Sequence, residues 1–160
     1  MKKNFLSLIL LAALGVLFLA GCSEQNQTSS EDLTFAEQLK EQFISLADEG
    51  KTAEEIAAAL IENEGFYDIQ MMTAEMEEGY LNGFDADITG FNTCYTFLPM
   101  INTIPFVGYV FETDDAAALS EALQAHAQLN WNICTEADEM VVETKDNLVF
   151  FVMSPLSFEE

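Results

Sequence analysis

From Phe35 to Ala47 apolar positions recur every three to four residues, placing Phe35, Leu39, Phe43, Leu46 and Ala47 on one helical stripe that Gly50 ends. Thr52-Ala53-Glu54-Glu55 then has the form of a capping box, a hydroxyl at the N-cap and a carboxylate three residues on. It opens a second helix in which Ile56, Ala59 and Leu60 share a face, and Gly65 stops it. So short a connection predicts an antiparallel helical hairpin. After Phe66 the period changes. Ile69 to Ala74 reads as a strand, Tyr80 to Gly90 carries the turn signal Asn82-Gly83, and Phe91 to Phe97 alternates loosely. Leu98 to Pro105 is too interrupted for a strand and is expected as an exposed loop. Phe106 to Phe111 is aromatic and β-branched, with Pro105 at its start, where a missing N–H is tolerated. Thr113 or Asp114 caps a helix running to Leu129, with Ala116, Leu119, Leu123 and Ala127 inward and acids at the favourable end of its dipole. Glu139 to Thr144 and Leu148 to Met153 form a hairpin around Lys145-Asp146-Asn147. Every position from Leu148 to Met153 is apolar, so both faces of that strand must be covered. The expected fold class is α+β: an N-terminal helical hairpin, then an antiparallel sheet of four to five strands with one inserted helix.

The first residues follow a different rule. Lys2 and Lys3 precede an apolar run from Phe5 to Phe18, interrupted only by Ser7, and the run ends in Leu19-Ala20-Gly21-Cys22. That ending has the form of a bacterial lipobox, in which cleavage before the cysteine leaves a lipid-modified N-terminus. Residues 1–21 are thus expected as a lipoprotein signal peptide, and Cys22 as the lipidation site. An uncleaved anchor helix and an ordinary secretory signal are the alternatives; the run is short for a membrane span, which needs about 20 residues. Several acyl chains on one residue hold stably where a single chain does not. Ser23 to Ser30 offers no apolar side chain to bury, so residues 22–31 read as the lipidated cysteine and a flexible polar linker. Ten such residues span roughly 18 Å end to end. The rest, 32–160, is long enough for one compact α+β domain. Its expected location is the cell membrane, lipid-anchored on the extracytoplasmic face.

Charge narrows the partners. All 28 acidic residues follow Cys22, where only Lys40, Lys51 and Lys145 oppose them, a net of −25, and the chain has no arginine. Phosphate recognition rests on lysine and arginine, so nucleic acid is excluded as a partner. Guanidinium clamps for anionic ligands are excluded too. A neutral small molecule, a protein partner or divalent cations remain. Solubility of an exposed surface is the simplest account of the acidity. Half the residues are apolar, which argues against disorder.

Three segments, Gly79 to Phe84, Ile104 to Phe111 and Trp131 to Glu139, together resemble a family of small surface lipoproteins of unknown function from Clostridia-like Gram-positive bacteria. The resemblance spans most of Phe35 to Pro155. It implies a surface lipoprotein and carries over no catalytic residue.

Candidate chemistry is sparse. His126 is the only histidine, so any Ser–His or Cys–His dyad or imidazole zinc site must use it. Its place at the edge of the apolar face of its helix favours a structural role. The chain has no Gly-x-Ser-x-Gly elbow and no His-Glu-x-x-His. Cys94 and Cys134 remain once Cys22 is lipidated, either as one disulfide or as two buried free thiols. A bridge closing this loop would stabilise by about 4 kcal/mol on the chain-entropy account. Asp85, Asp87 and Thr89, with Gly90 behind them, match the opening of an EF-hand-like Ca2+ loop, but Thr96 stands where the bidentate glutamate belongs. An acidic turn is the simpler reading, so no cofactor is expected, with Ca2+ as the alternative. Met71, Met72 and Met76 lie among carboxylates and read as packing residues rather than a soft-metal site.

Ile88 to Phe111 carries no charge in a chain dense with it. Its aromatics are either the sheet core or the wall of a groove for a neutral ligand. The groove reading takes Tyr95, Phe97, Pro99, Met100, Asn102 and Phe106 as binding residues. The expected function is therefore a non-catalytic, lipid-anchored binding or interaction domain for a neutral ligand or a protein partner. The alternative is a carboxylate-dependent hydrolase of envelope glycans or peptides, which needs two acids in one cleft.

Overall fold

The computed structural model describes residues 33–101 and 103–158. Helix α1 (Phe35–Asp48) starts at Thr34, whose Oγ1 accepts from the Glu37 amide at 3.3 Å, and it buries Phe35, Ala36, Leu39 and Phe43. Helix α2 (Ala53–Leu60) opens on the capping box seen in the sequence. Thr52 Oγ1 accepts from Glu55 N at 3.3 Å, and Glu55 Oε2 accepts from Thr52 N at 3.0 Å. Glu112 adds a carboxylate oxygen 3.1 Å from the Ala53 amide, satisfying a further unpaired donor of the first turn.

Seven strands follow a 3-10 turn at Glu64–Phe66: β1 (Met71–Glu75), β2 (Gly79–Tyr80), β3 (Asp87–Ile88), β4 (Thr93–Pro99), β5 (Val107–Glu112), β6 (Glu139–Lys145) and β7 (Leu148–Ser154). Helix α3 (Ala116–His126) lies between β5 and β6 in the chain. Five strands make one antiparallel sheet in the order β1-β4-β5-β7-β6, while β2 and β3 pair with each other. The fold is α+β, with three helices and a five-stranded antiparallel sheet.

All of β7 is buried, as its unbroken apolar run requires. Alternation sends Phe150 and Val152 to one face, with Phe97 and Val110 against α1 and α2. Val149, Phe151 and Met153 go to the other, with Tyr109, Phe111 and Cys94 beneath Leu119 and Leu123 of α3. Rings lock each side: Phe43 stacks on Phe150 at 5.2 Å between centroids, and Phe84 meets Phe151 at 4.8 Å. Opposite Phe97 in the register stands Gly108, and a Cβ there would lie 2.1 Å from the Phe97 ring. The ring lies flat over the neighbouring backbone because that position has no side chain.

Helix α2 ends at Leu60 rather than Gly65 and β1 starts at Met71 rather than Ile69, and three further boundaries differ from expectation. Strand β4 continues through Leu98 and Pro99, which were expected in a loop. Its pairing with β5 has ended by then, so at Pro99 only β1 flanks the chain, through Met71, and the missing N–H is tolerated. Helix α3 is capped by Asp115, because the Thr113 hydroxyl is committed to Gly90 O at 2.6 Å. It ends at His126 rather than Leu129, because Ala127 turns extended and bridges to Phe84.

The register gives the sheet two distinct ends. At one lie the start of β1, the end of β4, the starts of β5 and β6 and the end of β7. Helix α1 begins there, its Phe35 amide donating to Leu156 O at 3.1 Å and Thr34 Oγ1 donating to Glu139 Oε2 at 3.0 Å. At the other end are the turns after β1, β5 and β6, together with the α1–α2 connection, which Lys145 pins through Asp48 at 2.6 Å.

Candidate functional site

The uncharged aromatic segment divides. Phe97 and Phe106 are core residues, 0 % and 3 % exposed, and Pro99 is buried. Phe106 packs edge-on to Phe66 at 5.1 Å and lies 5.8 Å from Phe97. Tyr95 is half-buried against the α1–α2 face, where desolvation first and then Glu54 raise its phenol above the ordinary value. Phe97 of β4 and Phe106, just before β5, pack in the core under α1 and α2, and Pro99 is buried at the end of β4, so these three offer no open wall. Met100 and Ile101, at the tip after β4, stay exposed, and Ile104 is half-buried. Asn102 lies outside the described residues, as do Cys22 and the linker.

The remaining candidates lie apart. His126 is half-exposed, its Nδ1 3.0 Å from Asp85 Oδ1, and the second oxygen of Asp85 accepts from Gln128 Nε2 at 3.1 Å. The Asp85 amide also donates to His126 O. This cluster fastens the β2–β3 loop to the end of α3, and His126 meets a carboxylate rather than a serine or cysteine. Asp87 is in β3 opposite Tyr80, Thr89 is exposed, and Asp85 is engaged by protein donors. Among the described residues no group of three or more His, Cys, Asp or Glu side chains is placed to hold a metal ion.

Both sulfhydryls are free. Cys94 faces the α3 side of the sheet, fully buried, and burial pushes its thiol far up; Cys134 is exposed in the loop after α3. The bridge considered between them is absent, because one lies within packed strands and the other on the surface. Nor are both thiols buried. Met71 packs into the α1–α2 core and Met76 into the α3 core, while Met72 is exposed, so the three thioethers do not converge.

One shallow depression, about 570 Å³ and widely open, is lined by Ile61, Glu62, Asn63, Glu64, Phe66 and Tyr67. Asn63 is occupied within the fold: it accepts from Gly65 N at 2.8 Å and donates to Gln42 Oε1 at 2.8 Å. No convergent set of polar groups marks it as a catalytic cleft. Glu139, the first residue of β6, has a role that no motif in the sequence marks. Its carboxylate reaches the first turn of α1 through Thr34, with Oε1 buried and unpartnered among the described residues. A β-strand pattern gives no sign of such a contact, which spans 105 residues.

No protein-family model, curated protein or solved structure matches this chain. No helix among the described residues is long and apolar enough to cross a membrane.

Proposed function

We propose that this chain is a lipid-anchored extracytoplasmic protein whose α+β domain is a non-catalytic binding or interaction module. The observation that carries the reading is Leu19-Ala20-Gly21-Cys22 at the end of an apolar run behind two lysines. The likeness to small surface lipoproteins, carried by the three segments around Phe84, Tyr109 and Ile133, points the same way. Within the module, α1 and α2 act as one antiparallel helical hairpin, tied by Gln42 Nε2 donating to Ala59 O at 3.3 Å.

The test is the chemical state of Cys22. Expressed in a bacterium fed an alkyne-bearing fatty acid, the full chain takes up label and its mature N-terminal peptide starts at an acylated Cys22. Cys22→Ser abolishes labelling and leaves the precursor uncut. A wild-type peptide that starts at Met1, or at an unmodified Cys22, refutes the proposal.

A further inference from the structure

Of the seven large apolar side chains exposed among the described residues, five lie at the sheet end where α1 begins, Met72 and Tyr80 being the others. Tyr67, Met100, Ile101, Ile133 and Leu156 are 82 %, 61 %, 65 %, 99 % and 53 % exposed. The Met100 amide donates to Gln70 O, beside the start of β1, so Met100 and Ile101 continue the end of β4 past the sheet. Thr135 Oγ1 donates to Thr103 O at 3.4 Å, joining the loop of Ile133 to the same end. The Leu156 amide donates to Asp138 Oδ2 at 3.2 Å, just before β6. Tyr67 directly follows Phe66, which packs on Phe106 before β5. Scattered apolar residues need no explanation, but a gathering of them on one end of a monomer marks a contact surface.

Two observations select what that surface meets. The described chain starts at Leu33 on this same end, held by Thr34 to Glu139 and by Phe35 to Leu156, so everything from Cys22 onward joins the domain here. A polar tether of that length is expected to span roughly 18 Å, which favours contact at this end over the far one. Acids are exposed at both ends, with Asp48, Glu49, Glu75, Glu78, Asp114 and Asp146 at the far one. The apolar end also has exposed acids, Asp68, Glu136 and Asp138, which suit a zwitterionic surface and oppose an anionic one.

We propose that this end of the domain is a membrane-docking face, with Met100, Ile101 and Ile133 seated in the interface of a zwitterionic bilayer. The proposal rests on the lipid-anchor reading and deepens it. Docking adds to the anchor by proximity: a few exposed apolar side chains bind a bilayer weakly in free solution but act at high local concentration when tethered beside it. The domain then stands upright, the α1–α2 connection turned outward.

The native thiols allow a direct test on the full chain, extracted from the membranes of the producing bacterium and reconstituted into phosphatidylcholine vesicles. Cys134 accepts a polarity-sensitive fluorophore while Cys94, buried in the sheet, does not. The comparison protein carries Cys134→Ser and Asp146→Cys, which moves the label to the far end. Acyl-chain quenchers in the vesicle are expected to dim the label at residue 134 at least about threefold more than the label at residue 146. Met100→Ser with Ile101→Ser is expected to remove most of that difference without releasing protein from the vesicles. Equal quenching at both ends overturns docking while leaving the anchor intact. A concentration-dependent blue shift at residue 134 with no lipid quenching also overturns it, since a second copy then covers the face. The mass of the N-terminal peptide reports separately on the anchor. Without acylation an uncleaved apolar N-terminus still holds the vesicle and the quenching comparison still decides docking; a chain found free in solution overturns both.

Discussion

Gly108 earns its place by what it lacks. The Phe97 ring occupies the volume where a Cβ would stand, so Gly108→Ala drives a buried aromatic out of position. The expected cost is about 1–3 kcal/mol, the range for overpacking a filled core, read as a lower urea midpoint at unchanged slope. Adding Phe97→Ala to Gly108→Ala costs less than the sum of the two single changes, because the ring that clashes is gone. The cysteines make a second prediction at this scale. In native protein with Cys22 acylated, one thiol, Cys134, reacts with an aromatic disulfide reagent, and Cys94 follows only in denaturant, since burial both shields it and holds it protonated. Two thiols reacting at equal rates in the native state would contradict the burial of Cys94. Their states were not legible in the sequence. Strand alternation could say that Cys94 points to one face, but the stretch around Cys134 has no period from which exposure can be read.

Elements were the most legible level. The stripe of α1, the capping box of α2 and the hairpin of β6 and β7 are local signals, each written within a few residues, and the structure places all three where the sequence did. What was missed depends on distant chain. Strand β4 outruns its expected end because β1 comes to lie beside Leu98 and Pro99, and α3 stops early because Phe84 claims Ala127. The capping box also carries a pH dependence. Its hydrogen bond from the Thr52 amide holds the Glu55 carboxyl below the ordinary value of 4.5. Because the folded state lowers this pKa, the stabilisation is fully present at neutral pH and is lost as pH falls below 4.5 through the folded value. Comparing denaturation midpoints of wild type and Glu55→Gln from neutral to acid pH should therefore show a gap that closes on acidification. Thr52→Ala, which removes the other half of the box, is expected to cost about 0.5–2 kcal/mol at neutral pH. A gap that widens in acid would mean that Glu55 stabilises only when protonated.

At the scale of the whole molecule, the apolar run in β7 foretold cover on both faces, yet nothing local foretold that β7 would enter between β5 and β6. Sheet order is a property of distant pairings, and so is the placing of Met100, Ile133 and Leu156, far apart in sequence, at one end of the sheet. Phe97, Pro99 and Phe106 are buried while Met100 stays exposed for the same reason. Aromatic content says that a segment wants burial, and only the sheet says which side of which strand receives it. The interior place of β7 has a further consequence. Both cores draw on its side chains, and neither closes until residue 154, near the end of the chain, has arrived. Early strands thus have no complete partner set during synthesis, and pairings of this sequence separation form late. On the proposed export route that lateness would be an advantage: the chain would stay threadable until residue 154 had crossed, and β7 would be the latch that ends the passage.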